Sequence, residues 1–414
     1  MPKILFLTYY YSPCNATASN RPTSFVKNFL QYGYEVTVIT RHWKGDEKIW
    51  EDQLKADESQ AVIKKEKGLT LHYLPYTAFN YWRKPFSFLG TLIQNLKGNF
   101  DYEQKYEQYI PYIDKMMQKE KFDFILVSTP PHTTVRIGTL FANKYNTPLL
   151  VDIRDFENDI VLYKEKKHSW IRQQQHNLLC RYFKQWMKPA KAIVTASPPI
   201  TEYVEQLTGK KAVTLTNGFN EELLQLNEEQ SSERFSITVT GTLYEMANLP
   251  VMIEACRLIV TRHPEAKIRF RFIGLLMNQK VADMFAAVIP EKNLELTHRV
   301  PQAEAMNIAS ASQVLMLAGF DGLKGAYTTK IFEYLGLRRN VLQIPGDRDV
   351  VEALIHHTHA GEAPHTAEEA YTVIMNWYNE WRENGQLSYS GDLSKIMEYS
   401  RENQFKKLLV AIEQ

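Results

Sequence analysis

A chain of 414 residues is long for one hydrophobic core and comfortable for two. With 49 basic and 47 acidic residues the net charge is only +2, which argues against bulk nucleic-acid binding, because that needs a basic face. Apolar content of 44% and charged content of 23% are those of a soluble globular protein, and no run reaches the roughly 18 apolar residues that cross a bilayer, so any membrane contact is expected to be peripheral.

The opening, MPKILFLTYYYSP, predicts a short strand over Lys3–Thr8 rather than a signal peptide. The loop Tyr9–Ser19 follows, with small residues at Asn15-Ala16-Thr17-Ala18-Ser19. Pro22 then opens a helix with Phe25, Val26, Phe29 and Leu30 at helical spacing, and Gly33 ends it. Glu35–Thr40 is the next strand. Strand, loop, helix and strand in this order begin a doubly wound sheet, but the loop has no GxGxxG fingerprint, which weakens a nicotinamide-enzyme reading. Residues 42–68 are charged and expected mostly at the surface; Leu69–Leu74 is a strand. Residues 76–100 mix aromatics with cations: Tyr76, Phe79, Tyr81, Trp82, Arg83, Lys84, Phe86, Phe88. That mixture suits a membrane surface or an acceptor lipid, and equally a helix whose apolar side is core.

Phe122–Ser128 reads as a buried strand running into Thr129-Pro130-Pro131-His132-Thr133. Two prolines cannot continue a central strand, so His132 lies on a loop at the strand's C-terminal edge, where open α/β sheets bind ligands. A helix to about Tyr145 leads to the strand Pro148–Asp155, which ends in a charged cluster. Asp152, Arg154 and Asp155 either bind a ligand hydroxyl or pair with one another, and His132 is either their partner or a bystander. Residues 167–188 form a long helix, Ala192–Ala196 a strand, and Ser197 is positioned to cap the next helix. Val213–Leu215 is a last short strand before the turn Asn217-Gly218. The cysteines, Cys14, Cys180 and Cys256, are odd in number and widely spaced, with neither metal spacing nor a disulfide framework; a reducing cytoplasm fits them.

Residues 221–234 are polar and acidic, a natural linker. A second α/β unit follows: strand Phe235–Thr240 stopping at Gly241-Thr242, helix Pro250–Arg262, strand Ile268–Ile273 stopping at Gly274, strand Leu294–Leu296 running into His298-Arg299-Val300, and helix Ala303–Ala311. Val314–Leu317 then leads into GFDGLKGAYTTKIFEYLGLRR, Gly319–Arg339. Glycines at 322 and 325 surround Lys324, and Ile331, Phe332 and Leu335 share one face of a helix that Thr328 or Thr329 can cap. Free N–H groups at that start, with Lys324 and Lys330 beside them, suit a phosphate. Glu333 sits about one turn in, and an ionised carboxylate can accept from both hydroxyls of a ribose. The stretch reads as a seat for a nucleoside diphosphate, or as an ordinary strand–loop–helix connection with a surface glutamate. His356, His357 and His359 lie close together but without a carboxylate in a recognised metal pattern. Helices over 366–384 and Tyr399–Ile412 end the chain.

Lys330-Ile-Phe-Glu-Tyr-Leu-Gly336, followed by Val341 and Leu342, resembles the donor-site helix of family 4 glycosyltransferases. Their fold is GT-B: two Rossmann-like parallel-sheet domains facing a cleft, with a C-terminal helix crossing back to the first domain. Glu333 matches the second of the family's two glutamates eight positions apart, which holds the donor ribose; the first falls on Gly325. Asn15–Ser19 stands, without a glycine, where the family's first loop approaches the donor phosphates. Gly241 matches the glycine that admits the diphosphate, but the arginine and lysine that usually follow are replaced by Glu245-Met-Ala-Asn248. A diphosphate leaving group then lacks electrostatic stabilisation, for which Arg299, Lys324 and Lys330 are candidate substitutes. Val300 resembles the segment that contacts the base through its backbone. The Pro-Pro-His and Asp-x-Arg-Asp pieces resemble a subgroup usually found in bacterial surface polysaccharide assembly.

The resemblance implies an N-terminal acceptor-side domain over 1–217, joined by 395–414, and a donor domain over 218–394. It implies retaining transfer of a sugar from a nucleotide-diphosphate donor to a hydroxyl of a lipid-linked or glycan acceptor, with no metal and no cofactor. The protein would be cytoplasmic, with peripheral contact on the inner face of the membrane. His132, Arg154 and Asp155 are the catalytic candidates. Gly241, Thr242, Arg299, Val300, Lys324, Thr328, Thr329, Lys330 and Glu333 are the donor-binding candidates. Three other classes stay open: a sugar-nucleotide epimerase, a glycosidase, for which no convincing carboxylate pair stands out, and a non-catalytic GT-B partner protein.

Overall fold

The computed structural model describes the chain except for residues 47–49, 58, 79–86, 101–103, 157–168, 227–232, 244–246, 321 and 414. Two compact units emerge, Met1–Thr216 with Phe405–Gln414, and Asn217–Gln404.

Among the described residues the first unit is built on eight strands: β1 (Lys3–Leu7), β2 (Glu35–Arg41), β3 (Val62–Glu66), β4 (Leu69–Leu74), β5 (Phe124–Thr129), β6 (Leu149–Ile153), β7 (Ala190–Thr195) and β8 (Val213–Thr214). Their order is β3-β4-β2-β1-β5-β6-β7-β8. Leu5 lies level with Thr37 of β2 and with Ile125 of β5, both parallel. The chain therefore reverses its direction of travel across the sheet at β1. The inner strands are near-continuous apolar runs because helices cover both faces of a parallel sheet. One face buries Tyr9, Phe141, Phe156 and Phe183. The other buries Phe25, Phe29 and Phe405, where the tail residue Phe405 packs edge-on against Phe29 at 4.7 Å. The Asn20–Gln31 helix carries Pro22 in its first turn and gives way to Gly33 at φ +80°.

Residues 42–68 are not merely charged surface. Their last part, Val62–Glu66, forms the exposed strand β3, antiparallel to β4. Lys64, Lys65 and Glu66 keep this sheet edge polar, which discourages pairing with another chain. Ser197 does hold the N-cap position of the Pro198–Thr208 helix, but its side chain makes no capping bond. Phe79, Tyr81, Trp82, Arg83, Lys84 and Phe86 lie outside the described residues; the segment's later part includes the Ser87–Leu96 helix.

Among the described residues the second unit has six parallel strands: β9 (Phe235–Thr240), β10 (Ile268–Ile273), β11 (Leu294–Leu296), β12 (Val314–Ala318), β13 (Asn340–Ile344) and β14 (Gly361–Glu362). They run in the order β11-β10-β9-β12-β13-β14, so here the reversal falls at β9. Both faces of β9 are buried despite its apolar–polar alternation. Its polar positions are bonded inside: Ser236 N donates to Gln313 Oε1 at 2.6 Å, and the Thr238 and Ser312 hydroxyls pair at 2.7 Å. The Ala367–Asn384 helix opens with a reciprocal capping box between Thr366 and Glu369. The Gln279–Ala286 helix, which sequence reasoning did not anticipate, buries Val281, Ala282 and Phe285 against the same core. No helix among the described residues is long and apolar enough to cross a membrane.

Candidate functional site

A doubly wound sheet leaves a crevice at the C-terminal ends of its strands where the order reverses. In the second unit that point lies between β9 and β12. Gly241 ends β9 at φ +75°, and Gly274 ends β10 at φ +99°. Such backbone favours glycine, and the bare backbone of Gly241 is exposed.

Opposite it starts the Thr329–Leu337 helix. Of the two candidate caps, Thr328 is the N-cap; its side chain accepts from Lys330 N at 3.4 Å, and Thr329 is the first helical residue. Lys330 reaches from this turn to the end of β9. Its Nζ donates to the Thr242 carbonyl at 3.3 Å, and a Cβ on Gly241 would come within 3.0 Å of its Cε. Burial pushes the Lys330 ammonium down to about 8, with Glu333 pulling it back up. The cation thus stands over a glycine backbone, beside a helix start whose first N–H groups favour anions.

Glu333 is half-buried one turn further on. Gln302 Nε2 donates to its Oε1 at 2.7 Å. Burial raises the Glu333 carboxyl above its ordinary value, against the opposing pull of that bond and of Arg401 and Lys330. Sequence reasoning did not find Arg401. It arrives because Phe219 bridges Ser400 in parallel and accepts from Arg401 N at 2.9 Å. Burial lowers the Arg401 guanidinium while Glu333 supports its charge, and its Nε is buried without a hydrogen-bond partner. Sequence reasoning also missed Tyr334, whose buried hydroxyl accepts from Thr240 N at 2.9 Å and lies 3.1 Å from Thr240 Oγ1. That pair locks the helix to the strand that ends at Gly241.

The other donor candidates are dispersed around this centre. Lys324 donates to the Asp347 carbonyl at 3.0 Å, on the loop after β13. Arg299 is exposed and Val300 half-buried between β11 and the Gln302–Ser310 helix. Glu245 lies outside the described residues.

In the first unit, the strand ends β5 and β6 bring His132, Arg154 and Asp155 together. His132 precedes the Thr133–Tyr145 helix and is 2% exposed, with Phe156 and Phe183 edge-on at 5.5 and 5.8 Å. Burial raises the Asp155 carboxyl, and the charges of Arg154 and His132 oppose that rise. Arg154 braces two loops, donating to Ala18 O at 2.8 Å and Pro130 O at 2.6 Å. Asp152 has a separate role. It is fully buried and ion-paired with Arg21 at 2.7 Å, and it accepts from Ser128 at 2.8 Å. Among the described residues, no group of three or more His, Cys, Asp or Glu is placed to hold a metal.

No protein-family model matches the chain, and no curated protein matches it by sequence. Solved structures do match along its full length. HepE of Anabaena, solved with UDP and glucose, aligns with a TM-score of 0.62 at 12% identity, covering 100% of both chains. Sucrose-phosphate synthase of Thermosynechococcus elongatus aligns with a TM-score of 0.64 at 11% identity, over 100% of this chain and 99% of its own. A glycosyltransferase of Rickettsia africae aligns with a TM-score of 0.62 at 12% identity, over 100% and 98%. Identities this low carry the fold, and the fold is GT-B.

Proposed function

We propose that the protein is a retaining glycosyltransferase of the family 4 type that uses a nucleoside-diphosphate sugar. The observation that carries this reading is the placing of Lys330 over the Gly241 backbone, one turn before Glu333. A diphosphate needs a cation and backbone donors, and a ribose needs a carboxylate; the switch point of the second sheet has all three. Full-length likeness to structures of nucleotide-sugar enzymes supports the same reading.

Lys330, the N–H groups at Thr328–Lys330 and the Gly241-Thr242 backbone would hold the diphosphate. Glu333, oriented by Gln302, would hold the ribose, with the Arg299-Val300 loop toward the base. In the transfer, the bond from the anomeric carbon to the diphosphate oxygen breaks and the nucleoside diphosphate leaves with that electron pair. The acceptor oxygen bonds the same carbon on the same face, and its proton passes to the departing diphosphate. Positive charge at the leaving group is commonly the largest catalytic contribution, and Lys330 supplies it where the chain lacks the two cations after Gly241. His132, Arg154 and Asp155 would receive the acceptor hydroxyl of a lipid-linked or glycan acceptor, in surface polysaccharide assembly at the cytoplasmic side of a membrane. The reaction needs no metal and no further cofactor.

The test is a thermal-shift screen against UDP-, GDP- and dTDP-sugars, since a ligand of the native state raises its melting temperature, followed by assay of nucleoside diphosphate release. One nucleotide series is expected to shift the wild type and not Glu333→Ala. Binding without release under any acceptor would point to the non-catalytic partner class; no shift at millimolar ligand would sink the donor seat.

A further inference from the structure

Beneath the glycine-rich loop Gly319–Thr328 lies a cavity of about 190 Å³, far more than one water needs. Leu317 at the end of β12, Phe320 and Leu323 on the loop and Val351 on the Val350–Thr358 helix make it mostly apolar. One wall differs. Gln343 on β13 also lines the cavity, is only 3% exposed, and its side-chain Oε1 has no hydrogen-bond partner. A buried amide left unpaired costs about 1–3 kcal/mol, so a site of this kind calls for a ligand with a matching polar group.

The cavity's position says which part of a ligand would reach it. Along the sheet the order is β11, β10, β9, β12, β13. The Arg299-Val300 loop follows β11, and Gly241 with Lys330 marks β9. The cavity comes next, at the ends of β12 and β13, and Thr328, the cap of the diphosphate helix, forms part of its wall. A nucleotide sugar laid out as base, ribose, diphosphate and sugar therefore places its sugar at this cavity.

We propose that the donor sugar carries an acetamido group, which enters this cavity. Its methyl group would rest on Leu317, Leu323 and Val351, and its amide would pair with the Gln343 amide. The pairing holds for either orientation of the Gln343 side chain, because two amides are complementary both ways round. This deepens the glycosyltransferase reading and rests on it.

The experiment compares UDP-N-acetylglucosamine and UDP-N-acetylgalactosamine with UDP-glucose, UDP-galactose and free UDP by calorimetric titration. The acetamido donors are expected to bind the wild type at least tenfold more tightly than the hydroxyl donors, because a buried polar partner left unpaired discriminates strongly. Gln343→Met should erase that preference while UDP keeps its affinity. It should also melt no lower than wild type, since no internal bond is lost. Val351→Phe, which fills the cavity, should weaken the acetamido donors and spare UDP. Equal binding of the two donor classes by the wild type, or a preference that survives Gln343→Met, overturns the proposal while leaving the diphosphate seat standing. Binding by none of these, nor by their GDP- and dTDP-linked counterparts, overturns both.

Discussion

Replacing Lys330 with methionine should make the free protein more stable and its diphosphate binding weaker. Lowering the ammonium from 10.5 to about 8 corresponds to a penalty of about 3 kcal/mol on its charged form. The native state therefore binds this proton less readily than the unfolded chain. The penalty is present in full below pH 8, fades as pH rises from 8 to 10.5, and is gone above that. Methionine keeps the aliphatic stem and removes the penalty, while the 3.3 Å bond to Thr242 O and the attraction between the ammonium and Glu333 are lost. A net gain of about 1–2 kcal/mol at pH 7 remains, which is several degrees of melting temperature for a unit of this size. A phosphate oxygen at Nζ would instead gain a charge-assisted hydrogen bond worth about 1.5–3 kcal/mol. Calorimetric titration should thus show Lys330→Met binding a nucleoside diphosphate roughly ten- to a hundredfold more weakly at pH 7, while the nucleoside alone binds both proteins equally. Wild-type affinity should also decline above pH 8 as the free ammonium is lost. A variant that melts lower and binds the diphosphate unchanged would refute the reasoning.

Arg401→Met should leave the melting temperature of the free protein near wild type, because the buried Nε has no hydrogen-bond partner and burial disfavours the charge, yet weaken nucleotide binding severalfold in titration; unchanged affinity would confine Arg401 to balancing Glu333. Tyr334→Phe strands the Thr240 N–H and should cost about 1–3 kcal/mol in denaturant unfolding. Asp152→Ala leaves Arg21 buried and unpaired and should cost about 3–5 kcal/mol, whereas Asp155→Ala should cost far less and, read in a transfer assay, reduce turnover rather than donor affinity. Acidification should weaken donor binding at a pH above the ordinary glutamate range, because burial raises Glu333, and Glu333→Gln should flatten that limb of the profile.

How much was legible follows from how local each signal is. The strands at β1, β2, β4, β5, β9, β10 and β12 announce themselves as apolar runs between turn residues, and Thr328, Lys330 and Glu333 sit within six residues of one another on one helix start. The 3.6-residue period and capping chemistry place these three on one helix start, whereas preferring a donor seat to an ordinary strand–loop–helix connection came from the resemblance to family 4 glycosyltransferases. Tyr334 could be seen only as a core aromatic, because its partner Thr240 is 94 residues away. Arg401 depends on the pairing of Phe219 with Ser400, which no local pattern encodes. Asp152 and Asp155 look alike on paper as two acids at one strand end. The buried Arg21, 131 residues away in sequence, separates them by claiming Asp152. Strand β3 escaped notice because its only apolar residues, Val62 and Ile63, are exposed and followed at once by Lys64, Lys65 and Glu66, so no buried run marks it. Gln343 drew no reading from the sequence, because a single amide within Asn340–Ile344 carries no local signal; it stands out only through the cavity it lines.

Nucleoside diphosphate binding at Glu333 is tested most directly by titrating UDP, GDP, dTDP and ADP into wild type and into Glu333→Gln, with melting curves of both proteins as a control for folding. One diphosphate should bind the wild type with 1:1 stoichiometry and bind the equally stable variant at least tenfold more weakly. No binding by any of the four, or the same affinity in both proteins, would contradict the donor seat on which the functional reading stands.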